Sequence, residues 1–210
     1  MQLRRRGSLI IVSGPSGAGK TSVCGPLLDR LDNIRLSVSV TTRPPRGGER
    51  NGIDYVFVDD ETFERMVNEN RFAEWARVHG HRYGTAKETI EEALAAGIDL
   101  LLDIDVQGAA QIKAAYPDAA AVFLLPPSRA SLERRLRMRG TDDEETVSRR
   151  LEAACREIAA IDRYDYVVVN DDLERTIDSL VAIVRSERSR VDRLPRADLE
   201  RLISEFAPRK

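Results

Sequence analysis

The segment from Leu9 to Leu31 constrains the fold of this chain more than any other. An apolar run ending at Ser13 passes directly into Gly14-Pro15-Ser16-Gly17-Ala18-Gly19-Lys20-Thr21, and a helix-compatible stretch follows from Ser22. Strand, glycine-rich turn and helix, with the spacing G-x-x-x-x-G-K-T, make up a phosphate loop. The glycines let the backbone curl so that successive N–H groups converge on phosphate oxygens. The helix behind them adds unpaired N-terminal donors and the positive end of its dipole. Lys20 brings a point charge toward β- and γ-phosphates, and the Thr21 hydroxyl is placed to ligate Mg²⁺. The chain is therefore expected to bind a nucleoside triphosphate on an α/β core.

Composition narrows the class. The 210 residues suffice for one well-cored α/β unit with an insertion, or for two small domains. Hydrophobic content of 42% and charged content of 32% describe a soluble globular chain, expected in the cytoplasm. A net charge of -2 leaves no global cation excess to release counterions, which argues against a generic nucleic-acid binder. No apolar run approaches the roughly twenty residues of a membrane span. The basic stretch before Leu9 is not read as a secretion leader, because the apolar run after it is short and enters the phosphate loop. Cys24 and Cys155 are expected as buried free thiols, and His79 and His81 lack partners at metal-ligand spacing. No obligate protein partner is evident.

Apolar segments at 9–13, within 35–40, and at 100–105, 121–125 and 166–169 read as strands of a largely parallel sheet. Helical patterns separate them at 21–31, 87–96, 109–115, 131–138, 144–161 and 173–189. That alternation predicts a doubly wound α/β fold. Residues 41–85, rich in Gly, Arg, Tyr and Asp, read as an insertion over the carboxyl edge of the sheet. Residues 134–150 read as a mobile lid, with Thr141 to Glu144 as a capping box. From Arg185 onward an arginine-rich amphipathic stretch is expected as a terminal helix packed on the core.

Two constellations carry further chemistry. Asp103 and Asp105 end an apolar run and, by period-two alternation, share one side of a strand. Desolvating two carboxylates there is costly unless cations or donors meet them. Mg²⁺ beside Thr21 would satisfy Asp103, directly or through water, leaving Asp105 for a second ligand. Arg43, Arg46 and Arg50 stand among turn-forming residues ahead of Tyr55, and Arg82-Tyr83-Gly84-Thr85 follows in the same insertion. Arginine forks and tyrosine hydroxyls suit a terminal phosphate. Alone such a loop is more often a solvated surface; beside a phosphate loop it points to the phosphate of an acceptor.

The strings Ser37 to Arg46, Gly52 to Phe57, Glu74-Trp75, Tyr83-Gly84-Thr85, Leu102 to Gly108 and Val169 to Leu173 resemble, in order, the motifs of the guanylate kinase family. The likeness runs from about Ser8 to about Val184. It implies a P-loop NTPase-type core (1–36, 86–129, 160–210), an inserted mixed α/β GMP-binding domain (37–85) and a helical lid (130–159). It implies ATP-dependent phosphorylation of GMP, and of dGMP, with Mg²⁺. By position, Arg43, Arg46, Tyr55 and Tyr83 resemble the clamp on the GMP phosphate. Ser39, Glu74, Thr85 and Asp105 resemble the guanine-reading set. Arg135, Arg139 and Arg150 resemble lid arginines that meet the triphosphate, Arg150 also serving the GMP side, while Arg134, Arg137 and Arg149 are expected to face solvent. Asn170 and Asp172 fall where the family holds adenine, or else form a turn. Val40 departs from the small or hydroxyl residue common there. A phosphopeptide-binding scaffold module and a kinase of sugar phosphates are the rival readings; the intact loop argues against the first, and Ser39, Glu74 and Thr85 against the second.

Overall fold

In the computed structural model, which describes residues 5–78, 80–138 and 144–207, two sheets divide the chain. Five parallel strands form the larger, in the order β2-β7-β1-β8-β9: β1 (Leu9–Ser13), β2 (Ile34–Leu36), β7 (Asp99–Asp103), β8 (Ala120–Leu125) and β9 (Tyr166–Val169). Side-chain alternation explains the two covered faces. Ile10, Val12, Leu101, Val122 and Leu124 pack with Val23 and Leu27 of α1 (Lys20–Asp29) and with Ile177, Leu180 and Val184 of α7 (Leu173–Arg188). Leu9, Ile11, Leu100 and Leu102 pack the other way, on Ile90 and Leu94 of α3 (Lys87–Ala95) and Ile112 of α4 (Val106–Ala115). This is the doubly wound core that the alternation of segments predicts.

The single strand expected within 35–40 is two strands. The chain leaves the large sheet after Leu36 and enters a second sheet at β3 (Val40–Thr41). That four-stranded sheet has the order β4-β3-β6-β5, with β4 (Val56–Phe57), β5 (Phe72–Val78) and β6 (His81–Ala86). Its core joins Val40 and Phe72 to Phe63 and Met66 of α2 (Asp60–Asn68), whose N-cap Asp59 accepts from Thr62 N–H at 2.7 Å. Two further helices, α5 (Arg129–Arg137) and α6 (Glu144–Ile158), bury Leu132, Leu136, Val147, Leu151 and Ala154 between them. Arg139 and the capping box begun by Thr141 lie outside the described residues, as does His79.

Two other expectations are corrected. Cys24 is buried but Cys155 is exposed on α6, because it lies away from the apolar stripe of Val147, Leu151 and Ala154. The terminal helix exists as α8 (Arg196–Glu205), yet it buries no residue. The segment is anchored instead by buried Arg193, which donates to Asp118 O at 2.8 Å and to Glu187 at 3.3 Å. At the opposite end of the strands from the phosphate loop, fully buried Asp99 accepts from both Nη atoms of Arg5, from Arg188 Nε and from Ser8 N–H at 2.6–2.9 Å.

Candidate nucleotide site

β1 is buried along its whole length and delivers the chain to the phosphate loop at the carboxyl edge of the sheet. Gly19, at φ 96°, caps α1 from the left-handed region, and no acid in the first turn neutralises the helix N-terminus. Gly14 is required for space as well as for its positive φ: a Cβ there would lie 2.3 Å from Leu124 O. Lys20 Nζ donates to Gly14 O at 2.7 Å, which holds the ammonium over the loop. From outside, Arg135 Nη1 and Asn170 Nδ2 both donate to Ala18 O, at 3.1 and 2.8 Å, and Arg135 Nη2 reaches Asn170 O at 2.7 Å.

The loop opens into a cavity of about 470 Å³. Gly14, Ser16, Gly17, Gly19, Lys20, Thr21 and Ser22 form one wall; Glu74 and Tyr83 of the second sheet, with Ser39 and Tyr55 just ahead of its β3 and β4, form the facing one. Asp103, Asp105 and Gln107 also line it, as do Arg150, Ala153 and Glu157 from one face of α6. The phosphate loop and polar side chains from the second sheet thus share one cavity.

Asp103 ends β7, and burial pushes its carboxyl above the usual range against the opposing pull of Lys20 and a hydrogen bond with Thr21. Asp105 is not a strand residue. β7 stops at Asp103, and Asp105 is the N-cap of α4, its side chain accepting from Gly108 N–H at 2.8 Å. Both aspartates reach the cavity, but through a strand end and a helix cap rather than by strand alternation.

Glu74 is buried, and Thr85 Oγ1 donates to its Oε1 at 2.7 Å. Burial and nearby Asp105 push the Glu74 carboxyl up to about 7, against the lowering effect of Thr85. Thr85 is wholly buried and, unlike Ser39, is absent from the cavity wall, so its hydroxyl acts on the carboxylate. Arg43 is buried too: its fork meets Glu49 at 2.8 and 3.0 Å, and its guanidinium lies 5.1 Å from the Tyr55 ring centroid. Its hydrogen bonds to Glu49 and with Tyr83 hold Arg43 firmly charged. Glu49 also accepts the Arg46 N–H at 2.7 Å, while the Arg46 side chain is exposed.

Of the residues expected at the site, Pro15, Ala18, Arg43, Arg46, Thr85, Arg135, Asn170 and Asp172 stand behind or beside the cavity wall. Asp172 is the N-cap of α7, accepting from Arg175 N–H at 2.9 Å, the turn-forming alternative. Arg134, Arg137 and Arg149 are exposed; Arg137 pairs with Glu133 and Glu144. Sequence reasoning missed Glu49, Arg77, Gln107 and Glu157. Glu157 Oε2 accepts Ser16 N–H of the phosphate loop at 3.3 Å. Its one legible signal was the spacing from Arg150 through Ala153, which places all three on one helical face.

Comparison with known proteins accords with this arrangement. A family model described as guanylate kinase matches residues 6–187. A guanylate kinase of Syntrophotalea carbinolica is 52% identical over 192 residues, covering 91% of each chain. One of Anaeromyxobacter dehalogenans is 56% identical over 191 residues, covering 90% of this chain and 84% of its own. The crystal structure of guanylate kinase from Anaplasma phagocytophilum superposes with a TM-score of 0.81 at 34% identity, covering 100% of both chains. With phosphate loop, Glu74 carboxylate and the Tyr55–Tyr83 pair in one cavity, and with these relatives, the chain belongs to the guanylate kinase family and is a kinase.

Proposed function

We propose that this chain passes the γ-phosphoryl group of ATP directly to the phosphate of GMP, giving ADP and GDP, with each wall of the cavity holding one nucleotide. The overall reaction follows from family membership. The single observation that carries the residue assignments is the shared cavity: Lys20 and Thr21 face Ser39, Tyr55, Glu74 and Tyr83 across it.

Guanine presents N1–H and N2–H₂ donors beside the O6 acceptor. Ionised Glu74 accepts from N1 and N2, and the Ser39 hydroxyl donates to O6. Thr85 fixes the carboxylate, and Asp105 stands beside it on the α4 cap. Adenine offers an acceptor at N1 and would leave the buried carboxylate facing a lone pair. Tyr55, Tyr83, Arg43 and Arg46 take the GMP phosphate, with Arg43 preset by Glu49 and by stacking on Tyr55. The loop residues 14–22 take the triphosphate, as do Arg135 and Arg139; Asn170 and Asp172 serve its adenine end; and Arg150, on α6 and in the cavity lining, serves both nucleotides.

The GMP oxygen is already anionic, so neither a strong base nor a covalent intermediate is needed. Catalysis is in-line positioning plus neutralisation by Lys20, Arg43, Arg139 and Arg150. The donor set fits a divalent cation: the half-buried Asp103 carboxylate lines the cavity and is hydrogen-bonded to the Thr21 hydroxyl. Mg²⁺ takes few protein ligands and completes its shell with phosphate oxygens and water. When bound there it would neutralise charge on the β- and γ-phosphates. Residue pairs Arg43–Glu49 and Lys20–Gly14 O keep the chain's own cations in place before substrate arrives.

The second sheet and the α5–α6 pair are read as closing pieces that exclude water, since each has its own small apolar core. Cytoplasmic placement accords with free Cys24 and Cys155. Transfer from ATP made chiral at the γ-phosphorus tests the direct mechanism. A single in-line displacement inverts configuration; retention would require a phosphorylated protein side chain and would overturn the mechanism.

A further inference from the structure

Gly108 lies in the first turn of α4 at an ordinary negative φ, where its backbone has no need of glycine. Alanine is intrinsically favoured over glycine in a helix. What demands glycine is a neighbour. A Cβ at 108 would lie 2.7 Å from Glu74 Oε2, 3.3 Å from its Cδ and 3.4 Å from Asp105 Oδ1. Glu74 has nowhere cheap to go, because it is buried and Thr85 pins its other oxygen at 2.7 Å.

One turn along α4, Gln111 acts on the same strand. Its Nε2 donates to Trp75 O at 2.9 Å, and its Oε1 accepts Trp75 N–H at 3.1 Å. This reciprocal amide pair grips the peptide next to Glu74 and ties β5 of the second sheet to a helix of the core. A glycine that leaves room and a glutamine that fixes the backbone thus flank one buried carboxylate.

We infer that Gly108 and Gln111 are specificity-determining positioning residues: α4 sets where the Glu74 carboxylate sits, and so how well the site separates guanine from bases lacking its 2-amino group. This rests on the proposed reading of Glu74. Helix α4 belongs to the core that also carries the phosphate loop, so the closed position of Glu74 is referred to that same core.

The test compares kcat/KM for GMP and for inosine 5′-monophosphate, which lacks only the 2-amino group, in the wild-type chain, Gly108→Ala, Gln111→Leu and Glu74→Gln. An added methyl that displaces the carboxylate should lower kcat/KM for GMP roughly tenfold or more, chiefly through KM. The GMP-to-IMP ratio should fall toward that of Glu74→Gln, while KM for ATP stays within about twofold. Gln111→Leu should lower the same ratio a few-fold and keep the fold, giving a second readout that does not depend on an added methyl. If Glu74→Gln collapses the ratio while Gly108→Ala and Gln111→Leu leave it intact, or lower both substrates and ATP use equally, the inference is wrong and the reading of Glu74 stands. If Glu74→Gln itself leaves the ratio unchanged, the reading of Glu74 fails and this inference with it.

Discussion

Replacing Glu74 by Gln should make the protein more stable and a poorer enzyme, and the structure sets both magnitudes. Burial, with a smaller contribution from Asp105, pushes the Glu74 carboxyl from its ordinary 4.5 up to about 7. A rise of that size means that ionised Glu74 costs the fold on the order of 3 kcal/mol relative to the unfolded chain. The sign follows from proton counts. Between pH 4.5 and about 7 the folded state holds more protons at this position than the unfolded state, so its contribution to stability declines as pH rises. Above about 7 the penalty is complete; below 4.5 it is gone. Glutamine keeps the shape and carries no charge, so urea titration should find Glu74→Gln more stable by up to about 3 kcal/mol at pH 8, with the gain shrinking toward zero at pH 4.5. Activity should move the other way. The amide can turn its nitrogen to Thr85 and its oxygen to the base, but a neutral acceptor replaces an ionised one. That difference is worth roughly 1–3 kcal/mol, or about tenfold to a hundredfold in kcat/KM for GMP. In the wild-type chain kcat/KM for GMP should fall below about pH 7 toward the level of the Gln variant, because protonated Glu74, like the amide, offers guanine only a neutral acceptor. The Gln variant should lack that limb. No stability gain at pH 8, or a loss appearing in ATP binding with GMP use intact, would refute the reasoning.

Three other outcomes follow from named contacts. Lys20→Ala should lower turnover by several orders of magnitude at unchanged fold, since it removes the cation held over Gly14 O; single-turnover kinetics checks this, and near-normal turnover would contradict the proposed site. Asp99→Ala should cost about 3–5 kcal/mol in urea denaturation, because it strips a wholly buried carboxylate from Arg5, Arg188 and the Ser8 N–H; a loss below about 1 kcal/mol would show the cluster to be dispensable. Glu157→Gln removes a negative charge from the Ser16 N–H that phosphate would need, so calorimetry should show ATP binding tightened a few-fold; weakened binding would mean that Glu157 holds the loop in its productive shape.

The core was readable because its signals are local. Apart from β2 (Ile34-Arg35-Leu36), the strands of the large sheet are short, largely apolar runs, and β1 leads into a motif whose glycines and lysine have fixed physical reasons. The second sheet was less readable. Its strands β3 and β4 have two residues each, and its core rests on Val40, Phe63, Met66 and Phe72, spread over a stretch dominated by charged and turn-forming residues. The chain's change of sheet between Leu36 and Val40 has no marker in apolar periodicity. At the site, the residue types were legible but their division of labour was not. Thr85 has the same hydroxyl whether it meets a base or Glu74, and only the fold directs it to Glu74. Asp105 looked like a strand residue because Ile104 before it is apolar; the strand ends at Asp103 and a helix cap takes over. Glu49 and Glu157 escaped notice because their partners, the Arg43 fork and the Ser16 N–H, are set by loop and helix geometry rather than by sequence spacing.

The most direct test of the account is ADP release by the purified chain with ATP, Mg²⁺ and one acceptor at a time: GMP, dGMP, AMP, CMP, UMP and ribose phosphates. The arrangement of Ser39, Glu74 and the Tyr55–Tyr83 pair across from the phosphate loop predicts rapid turnover with GMP and kcat/KM lower by at least about a hundredfold with AMP. Pyrimidine nucleotides and sugar phosphates should be slower still. Turnover of AMP or a ribose phosphate at the rate of GMP, or GMP bound without ADP release, would contradict a guanine-reading phosphotransferase built on this cavity.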